Sequence, residues 1–186
     1  MPKALKTILL HCNKADTDFC VKLNKLSKNQ MILYFFNFIS WLGNGKIWYF
    51  IIFLIPFFNA DGIKISLEMI FFGLAGTLIY KLLKSKINRP RPYKVNQSII
   101  LGGKILDQFS FPSGHTLHAV IFSMILIFYF PLVTEVFIIF TFLIALSRVI
   151  LGMHFPSDVF IGAIIGYLIF QLFLIYQQQY ENFIFI

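Results

Sequence analysis

At 186 residues the chain has room for one domain. Its apolar share of 58% exceeds the roughly 45–50% of soluble domains, and the apolar residues fall in long blocks with short polar breaks, which excludes an ordinary soluble fold. The net charge of +8 does not predict a nucleic-acid partner, because Lys and Arg sit at the edges of apolar blocks and form no stripe interleaved with surface aromatics.

Residues 1–30 are mixed and Lys-rich. Lys6 and Thr7 interrupt the apolar stretch from Ala4 to Leu10, so no signal-peptide core is read there. Val21, Leu23 and Leu26, set against Lys22, Lys25 and Lys28, predict an amphipathic helix on a membrane surface. Cys12 and Cys20 lack metal-type spacing, and His11 alone cannot complete a zinc site of about four ligands.

Residues 31–186 predict a single membrane domain. Met31 to Leu42 and Ile47 to Phe58 are apolar, with the turn-forming Gly43-Asn44-Gly45-Lys46 between them. A crossing takes ~20 residues, so this pair predicts two short crossings, or one interfacial segment and one crossing. A turn at Asn59 to Gly62 leads to a helix from Ile63 to Leu83, with Glu68 near its start at the interface. Pro90 and Pro92 stop it. Residues 84–114 form the one long polar connection, a site candidate in so small a membrane protein. Helices follow over Thr116 to Phe130, Leu132 to Ser147 and Val159 to Tyr176, with Pro156 suited to the first turn of the last. Gly162 and Gly166, four apart, predict a close helix contact. The expectation is an all-α polytopic bundle of five to six transmembrane helices with an amphipathic, interfacial N-terminal segment.

The helix ending near Leu83 exits on one face, and the helix starting at His115 enters from that face. Its partner returns there at Arg148, and the last helix re-enters after His154. Lys84, Arg91, His115, Arg148 and His154 are thereby predicted to share one membrane face. Ionisable groups at a bilayer edge are costly unless they act together.

Three stretches carry these groups. Lys84 is followed, after six residues, by Arg91-Pro92. Pro112-Ser113-Gly114-His115 is the second. Ser147-Arg148, five residues, His154, three residues, Asp158 is the third. In order and spacing they resemble the signatures K-x6-R-P, P-S-G-H and S-R-x5-H-x3-D of the type 2 phosphatidic acid phosphatase (PAP2) superfamily. The resemblance covers roughly residues 41 to 170, including the WLGNGKIW segment.

The chemistry of the residues agrees. Arginine offers phosphate oxygens a planar fork and lysine a point charge, so Lys84, Arg91 and Arg148 make a cationic cup. Ser113 and Gly114 offer a hydroxyl and backbone N–H groups at a helix start. A neutral imidazole is a nucleophile and an imidazolium a proton donor. His154 is assigned as nucleophile, Asp158 as the carboxylate that fixes its tautomer, and His115 as general acid, then base toward water. Asp158 is the only carboxylate in the three stretches, too few for a two-metal phosphatase, so no metal and no cofactor is expected. The resemblance likewise implies a phospho-histidine intermediate without metal.

Other charges are read more plainly. Lys81, Lys86, Arg89 and Lys94 are taken as surface or headgroup charges. His118 is taken as a satisfied polar residue near the membrane edge, and Gly152 as relief for a tight loop. Tyr93, Asp107 and Gln108 lie in the long loop, within reach of a substrate. A site at the bilayer edge suits a lipid headgroup phosphate with its tails in hydrocarbon, so the expected partners are a lipid phosphate and the bilayer. The resemblance implies an integral-membrane lipid phosphatase, most often for undecaprenyl diphosphate, otherwise for phosphatidylglycerol phosphate, phosphatidate or lipid A phosphates. It also places the site on the outer, periplasmic face of the plasma membrane. An anion transporter would carry its charges near the midplane at broken helices, and here they sit at helix ends. A haloperoxidase-like vanadate enzyme would be soluble, and a silent scaffold would have lost His115 or His154.

Overall fold

The computed structural model describes residues 3–105 and 107–184, with side chains described over 14–105 and 107–180. The side chains of His11 and Cys12 lie outside the described residues. The regular elements of the described residues are all helices, as expected: α1 (Lys3–Asn24), α2 (Gln30–Leu42), α3 (Lys46–Phe58), α4 (Gly62–Ile87), the short α5 (Pro92–Val95), α6 (Gly114–Tyr129), α7 (Thr134–Ile150) and α8 (Pro156–Ile184). Single 3-10 turns, Lys25–Lys28 and Pro131–Val133, precede α2 and α7.

Among the described residues three helical segments are long and apolar enough to span a membrane: Gly62–Val95, Pro131–Ile150 and Pro156–Tyr180. A fourth is gained if α2 and α3, bent by 47° at the Gly-Asn-Gly break, count as one span. The chain is a multi-pass membrane protein. The larger numbers of five and six need the 16-residue α6, and then both halves of the bent pair, to count as separate crossings. At 1.5 Å per residue α6 is about 24 Å long, short of the hydrocarbon core. It is sheltered instead: Leu117, Ala119, Ile121 and Ile125 are fully buried among α4, α7 and α8.

The predicted glycine contact is present. A Cβ on Gly162 would stand 2.6 Å from the carbonyl oxygen of Ser113, and one on Gly166 would stand 2.7 Å from that of Leu117. Only glycine lets α8 lie this close to α6, which brings the Pro-Ser-Gly-His stretch against the start of α8. At the other end of these helices Glu68 is buried within the protein. Tyr129 Oη donates to its Oε2 at 2.6 Å and Gln177 Nε2 donates at 2.9 Å, tying α4, α6 and α8 together. This network sits about 24 Å along α4 from Lys84, counting 1.5 Å per residue.

The N-terminal segment does more than lie on a surface. Cys20, Asn24 and Ser27 are buried. The Asn24 amide donates to the carbonyls of Ile100 (2.9 Å) and Ile150 (2.8 Å) and accepts from the Ile100 N–H (2.8 Å). In α2, Asn37 donates to Gly102 O at 2.5 Å. The helix ends at Asn24, so Leu26 and Lys28 fall in the 3-10 turn beyond it. Composition changes near residue 30, but these contacts cross that point. Residues 20–37 and the loops after α5 and α7 therefore share one membrane face, and the α3–α4 turn lies on the other. Single cysteines at the exposed positions Lys25 and Lys104, in a Cys12→Ser background, are expected to react alike with an impermeant maleimide in intact cells. Asp61→Cys is expected to behave oppositely, and labelling of Lys25→Cys together with Asp61→Cys would contradict the arrangement.

Candidate active site

Local structure fixes each side chain. Asn88 ends α4 in a left-handed conformation (φ 49°), after which Pro90 and Pro92 force an extended chain that turns Arg91 inward. The Ser110 N–H and hydroxyl hold this stretch through the carbonyls of Arg89 (2.9 Å) and Pro90 (3.0 Å) respectively. Ser113 caps α6, accepting from the Thr116 N–H. Gly152 closes α7 at φ 68°, which lets the N–H groups of Met153 and His154 both donate to Arg148 O at 3.0 Å. Arg148 and His154 are thereby held by backbone relative to one another. Asp158 accepts the Phe155 N–H at 2.8 Å, securing the first turn of α8, and its carbonyl accepts the Ser113 N–H at 3.0 Å. The second and third stretches are joined by that bond.

Lys84, Arg91, His115, Arg148 and His154 line one cavity of about 640 Å³, as the crossing count predicts. Its floor and side are apolar, with Trp48, Ile52 and Phe53 of α3 facing Ile70 and Leu74 of α4. Arg91 is wholly buried. It donates from Nη1 to Met153 O (2.8 Å) and from Nη2 to Asp107 Oδ1 (2.7 Å), and Nη1 stands 3.5 Å from His154 Nε2. A guanidinium only donates, so the ring nitrogen facing it carries a lone pair and the proton sits on Nδ1. Burial pushes the His154 imidazole well below its usual pKa, and the charges of Arg148, Arg91 and Lys84 push it the same way. The ring is therefore neutral, with Nε2 aimed into a cationic pocket. Arg148 donates from Nη1 to Ser40 Oγ, and its buried Nε has no partner among the described residues.

The carboxylate behind His154 is less direct than the spacing suggests. His154 Nδ1 stands 3.8 Å from Asp158 Oδ2, an electrostatic contact beyond hydrogen-bond length, and Nδ1 has no hydrogen-bond partner among the described residues. Substrate binding commonly tightens such bonds. His115 Nε2 donates to Asn44 Oδ1, at the bend between α2 and α3. The Ser113 hydroxyl turns to Thr116 Oγ1 (2.9 Å) and does not line the cavity, whereas Gly114 does. Ser113 therefore contributes a helix cap here, not the phosphate contact assigned to its hydroxyl. His118 is satisfied as read: Nδ1 donates to Gly114 O (2.8 Å), and Nε2 lies against Thr77 Oγ1 (2.9 Å) and Gly73 O (3.1 Å).

Several residues were not assigned a role from sequence. Asn44 lies in the WLGNGKIW segment and Ser40 just before it, and neither residue type by itself signals a role there. Arg89, read as surface charge, instead donates to Asp158 Oδ1 at 2.7 Å and to Asp16 Oδ2 at 2.6 Å. Asp107 bridges the cup, 2.5 Å from Lys84 Nζ and 2.7 Å from Arg91 Nη2. Burial alone would raise its carboxyl pKa, but hydrogen bonds and charge from Lys84 and Arg91 outweigh this and hold it below the usual range. Asp107 therefore stays ionised at neutral pH, occupying cations that an external anion would need. Burial, with Asp16 and Asp158 adding to it, pushes the Cys20 thiol up to about 12. That thiol is not a nucleophile at neutral pH.

A pocket of buried cations around a neutral imidazole, set at helix ends of a membrane bundle, defines a phosphoryl-handling class of membrane protein. Residues 65–182 match the sequence profile of the PAP2 superfamily, and the chain belongs to that superfamily. It is 33% identical over 103 residues to undecaprenyl-diphosphatase BcrC of Bacillus subtilis (strain 168), covering 53% of each protein. It is 32% identical over 131 residues to phosphatidylglycerophosphatase B of the same organism, covering 63% of this chain and 60% of that one. The chain thus matches little more than half the length of these curated relatives. Among solved structures it resembles Aquifex aeolicus LpxE (TM-score 0.73, 26% identity, 82% of this chain and 90% of that one). It also resembles the transmembrane PAP2 type phosphatidylglycerolphosphate phosphatase of Bacillus subtilis (TM-score 0.74, 27% identity, 91% and 87%).

Because Asp107 competes for Lys84 and Arg91, Asp107→Asn is expected to tighten orthovanadate binding roughly three- to tenfold, as read by calorimetry on purified protein. Weaker binding would show that Asp107 shapes the cup more than it blocks it.

Proposed function

We propose that the chain is a metal-independent membrane lipid phosphatase working through a phospho-histidine. The observation that carries this is the neutral His154, its Nε2 lone pair facing Arg91 in a cavity lined by three buried cations. Phosphate oxygens displace Asp107 and take Lys84, Arg91, Arg148 and the N–H groups at the start of α6. Nε2 of His154 attacks phosphorus as the bond to the leaving oxygen breaks, and His115, an imidazolium once the phosphate anion fills the cup, gives its Nε2 proton to that oxygen and becomes neutral. Asp158 stabilises the Nδ1–H as the ring gains positive charge. His115 then takes a proton from a water whose oxygen attacks phosphorus, releasing inorganic phosphate and restoring His154. The charge that develops on the phosphoryl oxygens is met by groups already in position.

The substrate is a lipid phosphate. The apolar wall between α3 and α4 continues from the cationic end, matching a charged head with hydrocarbon attached. Undecaprenyl diphosphate is the preferred substrate, supported by the likeness to BcrC. Phosphatidylglycerol phosphate, lipid A phosphates and phosphatidate are the alternatives, the first supported by the likeness to phosphatidylglycerophosphatase B. The protein resides in the plasma membrane with its site on the outer face, a reading supported by the superfamily resemblance. The surface charges favour the opposite orientation: Lys25, Lys28, Lys86, Lys94 and Lys104 lie on the site face, and Lys64 at the far end of α4. Reaction of Lys104→Cys with impermeant maleimide in intact cells supports the outer face, and protection supports the inner.

Purified protein in detergent is expected to release phosphate from a lipid phosphate in excess EDTA, with the highest kcat/KM on undecaprenyl diphosphate. His154→Ala is expected to abolish turnover, and Asp158→Asn to lower kcat on the order of 10³-fold. Strict dependence on a divalent ion, or full activity of His154→Ala, would overturn this function.

A further inference from the structure

Asp158 is fully buried, and a buried carboxylate is sustained only by a partner that offsets its charge. That partner is Arg89. Its Nη1 donates to Asp158 Oδ1 (2.7 Å) and to Ser157 Oγ (2.7 Å), and its guanidinium lies over the Phe155 ring, 4.1 Å from the centroid. Arg89 is itself held by Asp16 of α1, whose Oδ2 accepts from Nη2 at 2.6 Å. The same Asp16 carboxylate accepts the Ser157 N–H (3.0 Å) and the Ser157 hydroxyl, a position favourable to an anion at the start of α8. Four side chains from three distant parts of the sequence thus form one chain of contacts: Asp16, Arg89, Asp158, His154.

We propose that Arg89 and Asp16 are positioning residues for the nucleophile, and that α1 is thereby a working part of the active site. The proposal rests on His154 being the nucleophile. Oδ1 of Asp158 is committed to Arg89 and Oδ2 is turned toward His154, where the imidazolium-like charge develops during attack. Without Arg89 the carboxylate is an unpaired buried charge and is free to turn. Without Asp16 the guanidinium has lost its second anchor and re-aims. Neither residue lines the cavity, so neither is expected to contribute to phosphate binding.

The test uses full-length protein in detergent, turning over whichever lipid phosphate the wild type hydrolyses. Asp16→Asn and Arg89→Gln are each expected to lower kcat roughly 10- to 100-fold while KM and orthovanadate affinity stay within about twofold. Arg89→Lys keeps the charge and should recover part of the loss. In an Asp158→Asn background the same two changes are expected to cost no more than about twofold further, because residues acting through one group are not additive. Unchanged kcat in the single variants overturns the relay. So does a full additional loss in the Asp158→Asn background, or vanadate affinity falling in step with kcat, since either marks a merely structural role. If the wild type is active and His154→Ala equally so, the nucleophile assignment fails first and the relay fails with it. If His154→Ala is dead and Asp16→Asn is normal, the phosphatase function stands and only the relay fails.

Discussion

Three cations buried around one cavity repel one another, and only Asp107 stands among them. Lys84, Arg91 and Arg148 come from α4, from the proline-stiffened stretch after it, and from the end of α7. Like charges in so little solvent persist only where the surrounding structure holds them and an anion rewards them. The buried Nε of Arg148 has no hydrogen-bond partner among the described residues. Much of the fold serves this confinement. Gly162 and Gly166 let α8 close on α6, the left-handed turns at Asn88 and Gly152 redirect the chain at two cation-bearing corners, and Asn24 staples α1 to the loops beside them.

The same confinement sets the chemistry. An imidazole among cations stays neutral, so His154 presents a lone pair where phosphate oxygens would be gathered. Its opposite nitrogen meets Asp158, the one carboxylate behind the ring, which is withheld from the cavity by Arg89 and the Phe155 N–H. Asp107 answers the cup from the solvent side and Asp158 from the protein side. The two acids are thereby separated in role: one yields to a ligand and the other stays. Apolar residues of α3 and α4 line the same cavity as this polar end.

The residues that line the pocket were legible in the sequence because helix ends bring them there, and helix ends are written locally. Prolines after Leu83, a capping serine before Gly114 and the glycine after α7 fix where Arg91, His115 and His154 emerge. Counting crossings put them on one face without knowledge of any contact. The ion pairs were not legible. Arg89 looks like any arginine at a membrane edge, since its partners Asp16 and Asp158 lie about seventy residues away in either direction and no periodicity links them. Asp107 sits in a loop whose path depends on Lys84 and Arg91, and the Ser113 hydroxyl could cap a helix or touch a ligand with equal local logic. The bend between α2 and α3 was open for the same reason: Gly-Asn-Gly breaks a helix without saying by what angle.

In the proposed reaction phosphorus becomes bonded to one imidazole. Wild-type protein mixed with a radiolabelled lipid phosphate, quenched within milliseconds in alkaline detergent and digested, reports that bond directly. The label is expected to survive alkali, to be lost in acid, and to map by mass spectrometry to His154. Label on any other side chain, or turnover with no covalent phosphate at any quench time together with single-step inversion at phosphorus, would contradict it.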